Sequence, residues 1–291
     1  MEIEKFKDSF IYFVLSIAVM LFNFFFIDYL SNKIIIILLI FFVTFLGLPH
    51  GALDSLVAKK AKIYSDFTGF IFFNFSYLFT MIIFFYFWLL FPIIALSIFL
   101  IISIYHFSED WRLHLNLYQR LILSTFIISS IVFFQPEAVK SIFYILTKSN
   151  SVDTIILFIK NLHYPIMLCV IVIIFFNFKN TNILLNITTI FTTSVLLSPL
   201  LYFLCYFCFF HSVKNYRESS KLFDTTLSRN KNKVIIINLI LTLLISALIF
   251  QFYFKGGFSP EERLIQVTFI ILACLTIPHM LLKLIIMKKN K

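Results

Sequence analysis

The sequence predicts an all-α, polytopic membrane protein: about eight transmembrane helices and one shorter segment that turns back. Three observations carry this. Apolar runs of 18 or more residues recur along the chain, and about 20 residues suffice to cross the hydrocarbon core as a helix. Of the 291 residues, 61% are hydrophobic and only 13% charged, where a soluble domain carries about 25% charge. The basic residues gather in the polar stretches between the runs, as they do when cytoplasmic loops retain Lys and Arg. The mean hydropathy of +0.99 agrees.

Taken in order, the apolar segments fall at about 10–30, 34–56, 67–91, 93–107, 121–134, 154–177, 183–211, 234–254 and 263–287. The first is long for a signal h-region and lacks an A-x-A-like cleavage site, so it is expected to stay as the first helix. The fifth, "LILSTFIISSIVFF", is short for a span. With Pro136 and "QPEAVK" after it, 121–134 reads as re-entrant or interfacial. Eight crossings then put both termini in the cytoplasm, and the outside holds only Lys33, Lys179, Lys255 and Arg263. No soluble domain is appended, so residues 1–291 form a single integral membrane domain. A bacterial inner (plasma) membrane is the expected location.

The net charge of +10 follows from this topology and does not argue for nucleic acid. Cys169, Cys205, Cys208 and Cys274 all lie inside apolar runs. Cys205 and Cys208 form a CxxC, but as helix filler rather than a redox pair. The 41 phenylalanines read as lipid-facing bulk.

The histidines carry the chemistry. His50, His106, His211 and His279 each end one of four spans that run from outside to inside in this topology. Lys and Arg alone set that topology, yet it brings four imidazoles to one depth. Ionisable groups in a membrane usually face a bundle interior or cavity. Side chains from facing helices can hold a redox-active metal in a bundle core, and imidazole suits iron, copper, zinc and nickel. A polar residue follows three of them at i+4: Asp54, Asp110 and Asn215. Such a group shares a helix face with its histidine and can accept the second ring N–H of a neighbouring metal-bound histidine. Helix capping or interfacial polarity is the plainer alternative, although a helix C-terminus disfavours a carboxylate. Pro49 and Pro278 precede two of the histidines and bend their helices. His114 and His163 are left out of the ligand set.

"GLPHGALDSL", "YHFSEDW", "FHSVKNYR" and "TIPHMLLK", in this order and spacing, resemble the Brp/Blh family of bacterio-opsin-related proteins and β-carotene 15,15′-dioxygenases. The resemblance covers essentially the whole chain. It implies an Fe(II)-dependent integral membrane oxygenase that uses O₂ to cleave β-carotene at its central double bond into two molecules of retinal. It also implies His50, His106 and His211 as iron ligands. The family's third motif usually reads His-Ser-x-x-His; here the second histidine is replaced by Asn215. A fourth imidazole then comes from His279, or the iron has three. Ser108 stands where glycine is common. The carotene is expected to enter from the bilayer, and Tyr105, Phe107, Phe207 and Phe210 are candidates to line its path. Three alternatives stay open. One is the same iron chemistry on another carotenoid or apolar alkene. The others are a metal or ion transporter and a haem protein with two histidine ligands.

Overall fold

The computed structural model describes residues 2–26, 31–112, 115–221 and 257–289, with 236, 237, 240 and 251 between the last two stretches. For residues 2–6, 32 and 50 the backbone alone is described. Every regular element among the described residues is helical. Six helices are long and apolar enough to cross a membrane: Lys7–Phe25, Phe67–Leu90, Pro92–Trp111, Leu117–Phe134, Val152–Phe176 and Pro260–Lys289. Their outward faces are greasy; Phe72, Phe158 and Phe175 are all strongly exposed. That surface suits lipid and not water.

In chain order the helices are α1 (Glu2–Phe25), α2 (Asn32–Phe42), α3 (Leu48–Ala52), α4 (Asp54–Lys60), α5 (Phe67–Leu90), α6 (Pro92–Ser108), α7 (Leu117–Phe134), α8 (Pro136–Thr147), α9 (Val152–Phe176), α10 (Thr181–Leu196), α11 (Pro199–Phe203), α12 (Val213–Lys221) and α13 (Pro260–Lys289). A π-turn, Val43–Gly47, joins α2 to α3, and a π-helix, Leu204–Ser212, joins α11 to α12. Local chemistry sets many of the starts. Asp66 accepts from the Gly69 amide at 3.0 Å, and Asn180 from the Ile183 amide at 3.3 Å. Pro92, Pro136 and Pro199 begin α6, α8 and α11, where a missing N–H costs nothing.

Within the described stretches, consecutive long helices run as antiparallel neighbours joined by short connections. The bundle therefore has two ends, one of which holds the histidines. The N-terminal part of α1 reaches that end through the Asp8–Arg217 ion pair. The last turn of α13 reaches it through Lys289, whose ammonium donates to the carbonyls of Ala61 and Lys62 at 3.0 Å.

Two segments differ from the sequence reading. The expected short segment 121–134 belongs to an 18-residue helix that begins at Leu117. A capping box between Asn116 and Gln119 starts it early. Arg120 is carried inside the helix because Glu109 pairs with it at 3.5 Å. α7 runs to the opposite end, where the Gln135 amide donates to the Ser194 carbonyl at 3.3 Å and also to that of Leu197. The amphipathic α8 lies across that end. Its last carbonyls accept from Gln266 at 2.8 Å and Trp88 at 3.2 Å. α9 then returns alongside α7.

Likewise, the segment 183–211 is not one helix. It breaks at Leu197 and Ser198, both extended, because proline at 199 disfavours helix in the residue before it. α10 runs away from the histidine end, and α11 with its π-helix comes back. These two corrections cancel in their effect on topology. The added pass of α7 and the added reversal before Pro199 leave the end of the π-helix at the end already occupied by α6. Lys140 and Lys148 move to the opposite end, and Lys179 to the histidine end. The expected span 234–254 lies almost wholly outside the described residues.

Candidate metal centre

Three breaks in regular α-helix build the site. Proline at 49 cannot donate to the turn before it, and the chain widens there into the π-turn Val43–Gly47. His50 follows on α3; its side chain lies outside the described residues. His106 ends α6, and the chain tightens at once into a 3₁₀ turn, Glu109–Trp111. His211 is the eighth residue of the nine-residue π-helix, all of it buried. π-Bulges are frequent at functional sites. His279 follows Pro278 inside α13.

His106, His211 and His279 meet inside the bundle. The ring centres of His106 and His211 are 4.4 Å apart, and those of His106 and His279 4.9 Å. The Nε2 atoms of His106 and His211 face each other at 2.9 Å. All three side chains are buried, His211 completely.

Each i+4 carboxylate serves a histidine on another helix. Asp110, one turn after His106, takes the Nδ1–H of His211 at 2.8 Å. Asp54, one turn after His50, takes the Nδ1–H of His279 at 2.8 and 2.9 Å. With Nδ1 holding the proton, each ring keeps its Nε2 lone pair for the interior. Two tyrosines complete the pattern. Tyr206 donates to Asp110 at 2.8 Å and Tyr77 to Asp54 at 2.9 Å. The result is two matching chains, Tyr206–Asp110–His211 and Tyr77–Asp54–His279. Around the first, Asn215 donates to Asp110 at 3.1 Å and to the His211 carbonyl at 2.8 Å. Lys283 donates to the Asn215 carbonyl oxygen at 3.4 Å, and Lys214 to the Asp110 carbonyl. The buried carboxylates thus have the partners that burial demands.

Sequence reasoning missed the tyrosines. The π-helix explains one of them. Residues five apart lie about 140° round an α-helix at 100° each, but an i→i+5 ladder brings them nearer one face. Tyr206 and His211 thereby reach the same carboxylate. Tyr77 had a fainter signal: it follows Asn74 by three residues in an otherwise apolar stretch of α5. Of the aromatic candidates, Phe207 lines the cavity described below and stacks on His211 with centres 5.7 Å apart. Phe107 packs against His211 at 5.0 Å, and Phe210 against Tyr12 at 5.0 Å; both buttress the site rather than line the cavity. Tyr105 is half-buried, and its carbonyl accepts from Ser108 at 2.6 Å. His163 pairs with Ser129 at 3.0 Å in the contact between α9 and α7. His114 is outside the described residues. Among the described residues, no three His, Cys, Asp or Glu side chains are gathered as a ready chelate.

A cavity of about 420 Å³ opens against His106 and His279. Asp54, Ser55, Asn74, Tyr77 and Thr276 add polar points to the two histidines, and the rest is mainly apolar. Ile71, Phe75 and Leu78 of α5 line it and are also exposed on the outer face. The cavity therefore opens sideways, through the greasy flank of the bundle.

The fold and site define a helical membrane protein with a buried, carboxylate-braced histidine cluster at the foot of an apolar cavity. Residues 41–286 match the family described as beta-carotene 15,15'-dioxygenase, and the chain belongs to that family. A beta-carotene 15,15'-dioxygenase from an uncultured marine bacterium, 66A03, is 29% identical over 252 residues, covering 82% of this chain and 90% of the relative. No solved structure matches. At the family level the activity is carotenoid cleavage.

Proposed function

We propose that this protein is a membrane-embedded, non-haem Fe(II) dioxygenase that cleaves β-carotene at its central 15,15′ double bond into two molecules of all-trans-retinal. One observation carries the reading: two carboxylate-locked imidazoles, His211 and His279, meet His106, and His106 and His279 line an apolar cavity whose α5 wall is exposed on the flank of the bundle. The donor set suits the metal, since neutral imidazoles are good iron ligands. The Nε2 atoms of His106 and His211 face each other at 2.9 Å, close enough for one ion to be held by both. His106, His211 and His279 would hold the ion, with His50 as the fourth imidazole. Fe(II) bound there would supply the activation of O₂.

The chain's own residues do the rest. Asp110 and Asp54 keep protons on Nδ1 of His211 and His279, and Tyr206 and Tyr77 hold the carboxylates in place. Asn215 steadies Asp110 and is no ligand in this reading. Leu272, Leu275 and Phe73 form an apolar wall that excludes water and accepts a polyene. Substrate enters sideways from the bilayer past Ile71, Phe75 and Leu78. The reaction balances without a reductant: the central C=C breaks, two C=O bonds form, and each oxygen atom of O₂ ends in one aldehyde. Membership of the family and the similarity to the marine bacterial enzyme support this substrate. The basic residues near the histidine end support a cytoplasmic position for it, in the inner membrane of a bacterium.

Expression in a β-carotene-producing bacterium, with chromatography of the pigments, tests the reading. Loss of β-carotene with gain of retinal, abolished in His106→Ala, is expected. Unchanged β-carotene beside a well-expressed, iron-loaded protein would transfer the chemistry to another carotenoid or alkene.

A further inference from the structure

Two glycines stand one turn apart around Pro49 and His50 in very different surroundings. A Cβ added to Gly47 would come 2.8 Å from Cε1 of Phe207, so packing against that ring requires glycine. A Cβ added to Gly51 would meet nothing within 4 Å among the described residues, its chain neighbours apart. Gly51 nevertheless lines the cavity together with His106 and His279. Its backbone lies in α3 without a positive φ, so conformation does not call for glycine either. Alanine would be the better helix former there. Among the described residues, glycine leaves open volume at this position, beside His106 and His279.

We propose that Gly51 is a specificity-determining residue whose missing side chain makes room for the part of the substrate next to the reacting centre. This rests on reading the cavity as the carotenoid site. Substituents here would point into space that a bound polyene fills, and hydrophobic pockets discriminate steeply by volume: about 10-fold or more for a single methylene.

The test compares the purified wild-type protein with Gly51→Ala, Gly51→Val and Gly51→Leu, with Gly47→Ala as the packing control. Each is loaded with β-carotene in detergent micelles. Retained pigment, retinal formation, iron per chain and melting temperature are measured. The Gly51 variants should melt at or above the wild-type temperature and keep their iron, whereas Gly47→Ala melts lower. Retained pigment and kcat/KM should fall stepwise with side-chain size, by about 10-fold or more at leucine. Wild-type retention and cleavage in Gly51→Leu would overturn the proposal. So would a melting temperature in Gly51→Ala as low as in Gly47→Ala, or a loss of iron, which would assign the effect to a displaced His50. If the wild-type protein holds pigment but forms no retinal, the dioxygenase reading fails and the retention series still decides the role of Gly51. If it holds none, both fail.

Discussion

Asp110 shows how much of the site rests on single residues. It accepts from His211 and Tyr206 on one oxygen and from Asn215 on the other. Asp110→Asn replaces the charged acceptor that fixes the His211 tautomer with a neutral amide, which can turn a donor to Nδ1 instead. Loss of such a partner typically costs about 10- to 100-fold in metal affinity or activity; iron per chain and retinal yield should fall together by that amount. Tyr206→Phe removes one hydrogen bond to a charged group, worth about 1.5–3 kcal/mol, and leaves the Asp110–His211 bond intact. Its activity loss should be smaller than that of Asp110→Asn under the same assay. An equal loss would show that the tyrosine does more than hold the carboxylate. The histidines and carboxylates were legible because i+4 spacing and topology both act through the sequence order. The tyrosines were not, because their partners lie 23 and 96 residues away, and the local mark is no more than the spacing of Asn74 and Tyr77 in α5.

At the scale of elements, start signals read well where a side chain or a proline makes them. Asp66, Asn180 and Pro92 sit where helices begin. The capping box of Asn116 and Gln119 is equally present in the sequence, but the polar residues around it have the composition of a loop, and the apolar run 121–134 alone is too short to cross. The break before Pro199 was hidden by the apolar residues on both sides of it: hydropathy does not distinguish one long helix from two antiparallel ones. Asn116→Ala should cost about 1 kcal/mol, as lost N-caps do. The melting temperature in detergent should drop while the retinal yield per folded protein stays at the wild-type level. A fall in specific activity would mean that the start of α7 is coupled to the site through Arg120 and Glu109.

Over the whole molecule, the full pass of α7 and the reversal before Pro199 together bring the four histidines to one end. The N-terminal part of α1 and the last turn of α13 share it as well. Most described basic residues outside the apolar segments are there; Lys33, Lys140, Lys148 and Arg263 are not. That bias supports the proposed cytoplasmic position of the histidine end. A fluorescent protein fused after Lys291 should therefore glow in a bacterial host, and an alkaline phosphatase at the same place should stay inactive. The opposite pattern would invert the bundle. The overall class was legible from hydropathy alone, since lipid demands long apolar helices. The cavity was not, because its walls come from helices far apart in sequence.

The most direct test is to purify the wild-type protein and His106→Ala and reconstitute both anaerobically with Fe(II). β-carotene and O₂ are then added, and bound iron and retinal measured on the same samples. The expected result is bound iron and two retinal molecules per β-carotene consumed in the wild type, both lost in His106→Ala and on chelation of the metal. Retinal formed by an iron-free wild type, or by His106→Ala at the wild-type rate, would contradict the assignment of the histidine cluster as the metal centre.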